Sequence, residues 1–228
     1  MKSFVFATAL AVCCTSSLVQ AVDVILAGGV ALRQWEELRG PQAHDRWWAN
    51  FIRASTMHMA RLRAKDAKAR ITWIVYQPAY AARGKADGKP YVAWIEDNAK
   101  RYGAELVWFR TSEEMYRAIN NTPRGKDKVK SFYYFGHSNA YAFMLDYSCD
   151  IIGVSKVWIH QSDLAKYINP AIFAPQADCW SFGCYTGNSM SKVWKASFGV
   201  SLWGNTEATR YQPLSSGRMP EGNGKWVD

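Results

Sequence analysis

Ser131-Phe132-Tyr133-Tyr134-Phe135-Gly136-His137-Ser138 and Ala177-Asp178-Cys179-Trp180-Ser181-Phe182-Gly183-Cys184-Tyr185 are built alike. Each is a run of strand-forming residues, then a glycine, then a side chain able to move a proton or attack a carbonyl. A thiol becomes a good nucleophile near neutral pH when a base stands close, and imidazole is the usual one. At the carboxyl ends of parallel strands, both groups face the crevice where open α/β sheets bind ligands. The pair points to a Cys-His site, with His137 first and Cys184 second in the chain. The plainer alternative is a structural histidine at one strand end and a buried cysteine at the other, a common fate for both.

Working outward, strands and helices alternate. Asp23-Val24-Ile25-Leu26-Ala27-Gly28-Gly29 reads as a first strand with a sharp glycine exit; no Gly-x-Gly-x-x-Gly or Walker pattern follows it. Residues 46–68 carry apolar side chains at helical spacing. Residues 71–76 read as a second strand stopped by Pro78, and 83–90 as a loop. A helix through Trp94, Ile95 and Tyr102 ends at Gly103 in a left-handed cap. Residues 105–109 are a third strand, and Ser112 caps a helix over 113–120 with acidic residues in its first turn. After the strand that leads to His137, residues 139–153 form an excursion with hairpin character, and 162–168 a helix ended by Pro170. The strand that leads to Cys184 precedes a helix over 187–196 and a sixth strand over 199–203. This alternation predicts a single-domain three-layer α/β/α sandwich with a mostly parallel sheet of about six strands. Its expected extent is 22–211, followed by a loop-rich tail over 212–228.

The chain has 228 residues, 49% of them hydrophobic, with 11 Trp and 12 Tyr. That suits one well-filled domain and excludes a disordered chain. Its formal net charge is +9, but the basic residues are scattered. The one dense run, Arg61-Arg63-Lys65-Lys68-Arg70, reads as the exposed face and exit of a helix, so no nucleic-acid partner is expected. Met1-Lys2, the apolar stretch Phe4 to Val12 and the small residues of Val19-Gln20-Ala21 match a secretory signal. The mature chain is expected to begin at Val22, in the periplasm or secreted, without a transmembrane segment. Cys13 and Cys14 leave with that segment, so Cys149, Cys179 and Cys184 remain. A bridge, if one forms, joins Cys149 and Cys179, since oxidation of Cys184 would consume the nucleophile. No Cys-x-x-Cys pair or zinc-spaced His/Cys cluster is present, and no metal or cofactor is expected.

The order strand, His, helix, strand, Cys resembles the caspase-like cysteine peptidases, the clan that includes caspases, legumains, gingipains and clostripains. Tyr134-Phe135-Gly136-His137-Ser138 resembles the family's His-Gly element. Gly183-Cys184-Tyr185-Thr186-Gly187-Asn188-Ser189-Met190 resembles the nucleophile element that legumains write Ala-Cys-Glu-Ser-Gly-Ser-Met. Ser138 stands where the family usually has Gly, and Gly183 where it commonly has Ala. The resemblance implies a peptidase that cleaves peptides or proteins through an acyl-enzyme on Cys184, with His137 as general acid. The oxyanion would be held by the amides of Cys184 and of Gly136 or Ser138. A helix beginning near Gly187 would lower the thiol pKa. It also implies that the segment Gly204 to Arg210 shapes substrate choice: Asn205, Glu207 and Arg210 are candidates, an inward Glu207 favouring a basic residue and an inward Arg210 an acidic one.

Two alternatives stand beside this. One is a catalytically inactive domain of the same fold that binds at the cell envelope. The other is a Ser138 hydrolase, because Gly136-His137-Ser138-Asn139-Ala140 is one residue from a Gly-x-Ser-x-Gly elbow. The only histidine after Ser138 is His160, 22 positions on, which suits an α/β-hydrolase triad poorly. His44 beside Asp45 reads as a cap or surface pair, and His58 as half-buried packing. Glu36-Glu37 and Glu113-Glu114 are adjacent on helices, diverge, and read as solvated.

Overall fold

The computed structural model describes residues 21–37, 47–148, 151 and 154–228. Residues 1–20 of the expected signal segment, His44 with Asp45, and Cys149 lie outside these residues. Twelve strands are described: β1 (Ala21–Ala27), β2 (Arg70–Tyr76), β3 (Glu105–Phe109), β4 (Lys128–Phe135), β5 (His137–Ser138), β6 (Ala142–Met144), β7 (Trp158–His160), β8 (Phe173–Ser181), β9 (Leu202–Asn205), β10 (Thr209–Arg210), β11 (Glu221–Gly222) and β12 (Trp226–Val227). The α-helices are α1 (Arg33–Glu37), α2 (Asn50–Lys65), α3 (Gln77–Asp87), α4 (Tyr91–Tyr102), α5 (Ser112–Asn121), α6 (Leu164–Tyr167) and α7 (Met190–Phe198).

The fold is a three-layer α/β/α sandwich around a seven-stranded sheet of order β12-β9-β8-β4-β1-β2-β3. All neighbours run parallel except β12, which is antiparallel to β9. Central strands buried on both sides favour apolar residues, so β1 and β2 are mostly hydrophobic; the buried Asp23 of β1 accepts from the Ser131 hydroxyl at 2.6 Å. Val24 and Leu26 point to one layer with Met115, Leu164 and Trp194 of α5, α6 and α7. Ile25 and Ala27 point to the other with Phe51, Tyr80 and Ile95 of α2, α3 and α4. The chain builds outward from β1 through β2 to β3, then returns to start the other half at β4. The order therefore reverses between β1 and β4, the place where such sheets open a crevice.

Several local expectations change. Residues 83–90 are not a loop up to Pro90: α3 runs to Asp87, with Pro78 inside its first turn, where a missing N–H costs nothing. Thr111, not Ser112, caps α5, its hydroxyl accepting from the Glu114 amide. The excursion after His137 is a three-stranded antiparallel sheet, β5-β6-β7. The helix expected over 162–168 is a 3-10 turn, Gln161–Asp163, followed by the short α6. The tail is more than loops, because β12 adds the seventh strand. Glu36 is not solvated. It is buried and paired with Arg83 at 2.5 Å, while Arg83 also reaches Asp87 at 2.6 Å, so α1 is tied to α3 by partners far apart in sequence. In the basic run, Arg63 donates to the carbonyls of Tyr102 (2.7 Å) and Gly103 (2.7 Å), closing the end of α4, while Arg61 and Lys65 remain exposed. Gly103 is the left-handed cap expected, at φ 59. Among the described residues no helix is long and apolar enough to cross a membrane.

Candidate active site

The exit of β4 is held by its own side chains. Tyr134 folds back so that its hydroxyl donates to the His137 carbonyl at 2.5 Å, and the Phe135 carbonyl accepts from the Gly28 amide at 2.9 Å. The Gly29 amide is likewise spent, on the Leu145 carbonyl at 2.7 Å, so this glycine pair is a strand exit and not a phosphate cradle. His137 is buried, its imidazole between Phe51 of α2 (ring centroids 5.1 Å, edge-on) and Tyr147 (4.4 Å). Its backbone pairs with β6 across from Met144, and Ser138 lies across from Phe143. The Asn139 amide donates to Ala142 at 3.1 Å, so by the alternation of an antiparallel ladder Ser138–Phe143 is the non-hydrogen-bonded pair. The Ser138 amide is therefore directed away from β6.

The exit of β8 lies next to that of β4. The Phe182 amide continues the ladder to the Tyr134 carbonyl at 2.8 Å, and the Phe182 carbonyl accepts from the Tyr211 hydroxyl at 3.0 Å. Ser138 Oγ then donates to the carbonyl of Cys184 at 2.6 Å, joining the two strand ends directly. Cys184 Sγ accepts from the Thr209 amide at 3.4 Å, and Thr209 Oγ1 donates to the Gly183 carbonyl at 3.2 Å. Phe51 closes the arrangement, since the ring of Tyr211 also packs edge-on against it at 5.1 Å. The strand ends that carry His137 and Cys184 are thus joined by the Phe182 amide on Tyr134 and by Ser138 Oγ on Cys184, and braced by a shared phenylalanine.

Burial pushes the Cys184 thiol up, and the Thr209 amide opposes that shift. The expected lowering by a helix is not found. The chain turns through residues 184–189, with Tyr185 at φ 64, and α7 begins only at Met190. The Gly187 amide donates to the Asn205 carbonyl at 3.0 Å, within this turn.

Gly183 makes this packing possible. A Cβ there would lie 2.7 Å from Ser138 Cβ, closer still to Ser138 Oγ, and 3.1 Å from Tyr134 Cε1. The extra atoms of Ser138 occupy the space that an alanine at 183 would need.

The segment after β9 does pass beside Cys184, with the Glu207 carbonyl accepting from the Tyr185 amide at 2.9 Å. Asn205 is fully buried and its amide is spent internally: Oδ1 accepts from the amides of Glu207 and Gly224 at 3.0 Å each, and Nδ2 donates to the Gly224 carbonyl at 3.1 Å. Glu207 and Arg210 are exposed, Arg210 lying 3.7 Å from Glu221 across the β10–β11 pair. The Tyr211 hydroxyl also meets the backbone of Gly136, which weakens that residue's claim as an oxyanion donor relative to Ser138. Thr209, Tyr211 and Phe51 were not singled out from sequence; Tyr211 and Thr209 sit at the edge of the segment after β9, and Phe51 looked like any residue of an apolar helix stripe.

The remaining candidates are structural. His160 Nδ1 shares a hydrogen bond with Ser162 Oγ at 2.8 Å and caps the 3-10 turn. Ser138 lies in an antiparallel strand, whereas a nucleophile elbow needs a strand-to-helix turn. Cys179 and Cys184 are free thiols, and burial pushes that of Cys179 up to about 12. Among the described residues no cluster of His, Cys, Asp or Glu could hold a metal ion.

His58 is more buried than expected. Its ring stacks on Tyr133 at 3.7 Å, and burial with Arg61 nearby lowers its pKa from 6.5 to about 4. A base held neutral in the fold binds its proton more readily when unfolded, so its contribution is present above pH 6.5 and is lost as pH falls toward 4. The expected loss over that window is about 3 kcal/mol, from roughly 1.4 kcal/mol per pKa unit. Urea unfolding of wild type and His58→Gln at pH 7 and pH 4.5 checks this. The variant should lose distinctly less stability between the two pH values; equal losses would rule His58 out as the cause.

No family model, curated protein or solved structure matches the chain.

Proposed function

We propose that this chain is an exported cysteine peptidase of the caspase-like kind, acting on peptide or protein substrates through Cys184 and His137. The observation that carries the reading is the junction of two adjacent parallel strand ends, with Ser138 Oγ on the Cys184 carbonyl at 2.6 Å, beside the switch point of the sheet. In this mechanism His137 takes the thiol proton of Cys184, Sγ attacks the peptide carbonyl carbon to form the C–S bond, and the C=O electron pair moves onto oxygen. The amides of Cys184 and Ser138 donate to that oxyanion. The C–N bond then breaks, His137 supplies the proton to the leaving amine, and the acyl group stays on sulfur as a thioester. Water, oriented by His137, cleaves the thioester and restores the thiol. Export rests on the N-terminal sequence pattern.

One observation favours a second reading, a catalytically silent binding domain. Burial pushes the Cys184 thiol up, and α7 begins at Met190 rather than near Gly187. The two readings part on thiol reactivity toward a substrate-like electrophile. A set of peptidyl chloromethyl ketones with basic, acidic and small terminal residues, applied at pH 7.5, should alkylate Cys184 at least tenfold faster than glutathione, and His137→Ala should slow the best of them at least tenfold. Alkylation no faster than glutathione across the set would favour the silent domain.

A further inference from the structure

Among the described residues, α2 packs against β1 and β4 and α4 against β3. The connections leaving β4 and β8 pass through α6 and α7 on the opposite side, and over β4, β8 and β9 lies an aromatic surface on which Trp226 packs edge-on against Trp180 (5.5 Å) and Phe182 (5.2 Å). Tyr133, Trp180 and Trp203 stand in register across those three strands, with Trp180 and Trp203 ring centroids 5.6 Å apart and Trp203 36% exposed. Where α2 borders this surface there is a groove of about 470 Å³, lined by His58, Arg61, Lys65, Tyr133, Trp180 and Phe182 among others. That volume lies in the range of small-molecule sites, which typically run from about 300 to 1,000 Å³.

Three features define what would fit. Arg61 and Lys65, one turn apart on α2, are exposed and form no ion pair with another described residue. Asp178, the carboxylate nearest the aromatic row, has both oxygens engaged: Oδ2 accepts from Tyr133 and Oδ1 from Trp180 Nε1, each at 2.7 Å. It therefore offers little to a cation. His58 is more than nine-tenths buried, and its Nε2 has no hydrogen-bond partner among the described residues. That nitrogen is closed to solvent, so the imidazole gives the groove an apolar wall and no polar contact. We infer that this groove binds a small aromatic carboxylate, its ring against Trp180 and its carboxylate on Arg61 and Lys65. An apolar molecule would leave both cations unused, and an amine would be repelled. The site does not depend on Cys184 being catalytic.

Isothermal titration of the full chain with indole-3-acetate, indole and tryptamine tests it. Indole-3-acetate should bind at least tenfold tighter than indole, with tryptamine weaker still. The exposed helix changes Arg61→Glu and Lys65→Glu together should reduce its affinity at least tenfold without moving the melting temperature. Trp203→Ser, at the margin of the aromatic row, should change it less than threefold. Equal affinity for the acid and the amine, no measurable binding of the acid, or indifference to the double charge reversal would overturn the assignment. So would sedimentation showing a dimer that Trp203→Ser dissolves, because a second copy would then be the occupant.

Discussion

Cys184→Ala is expected to reduce peptide hydrolysis to background, a loss of at least about 10³-fold, because nothing else at the junction supplies a nucleophile able to form the acyl-enzyme. The fold should survive, since the sulfur sits at a strand exit and holds only one weak contact, the Thr209 amide at 3.4 Å. His137→Ala should cost about 10² to 10⁴-fold, the usual span for losing a positioned general acid. Ser138→Ala removes a neutral hydrogen bond worth about 1 kcal/mol and should cost no more than roughly tenfold. Hydrolysis of a quenched fluorescent protein substrate by the three variants, with melting curves for each, reads all of these at once. A dead Ser138→Ala beside an active Cys184→Ala would overturn the assignment.

The second large effect is a pair. Gly183→Ala places a methyl group 2.7 Å from Ser138 Cβ. Ser138 cannot swing aside freely, because its hydroxyl is held on the Cys184 carbonyl. Overpacking of this kind typically costs about 1 to 3 kcal/mol, and here it displaces the junction itself, so stability and activity should fall together. Ser138→Gly empties the contested space. The double variant Ser138→Gly/Gly183→Ala restores a Gly after His and an Ala before Cys, and should recover most of what Gly183→Ala loses, leaving only the tight 3.1 Å approach to Tyr134 Cε1. Urea unfolding of all four forms gives the coupling energy, expected near 2 kcal/mol, within the span for residues in direct contact. Additive effects would mean that the two positions do not share space as described.

What was legible in the sequence follows the physics of burial. β1 and β2 declared themselves because central parallel strands are mostly apolar, β3 by its short Leu106-Val107-Trp108-Phe109 run, and Gly103 because a left-handed cap ends α4. α3 was hidden because Pro78 reads equally as a strand stop and as a helix first turn, and tertiary packing decides between them. β12 is two residues long and owes its identity to Asn205 and Gly204, more than twenty positions back. At the site, the residue types at 137 and 184 were readable, because glycine-flanked strand ends leave a local mark. The bracing by Phe51, Thr209 and Tyr211 was not, since each contact spans a separation that no local pattern records. The same is true of the fit between Ser138 and Gly183. From one chain they look like two unrelated departures, and only their shared space makes them one.

Cys179 lies in β8, wholly enclosed and with its thiol pushed up by burial. It cannot meet an alkylating reagent unless the middle of the sheet parts. Its rate of modification, followed beside that of Cys184 in one sample, separates two clocks: the opening of the crevice and the opening of the whole sheet. The protein thereby carries its own gauge of global breathing, readable by mass spectrometry without any engineered probe.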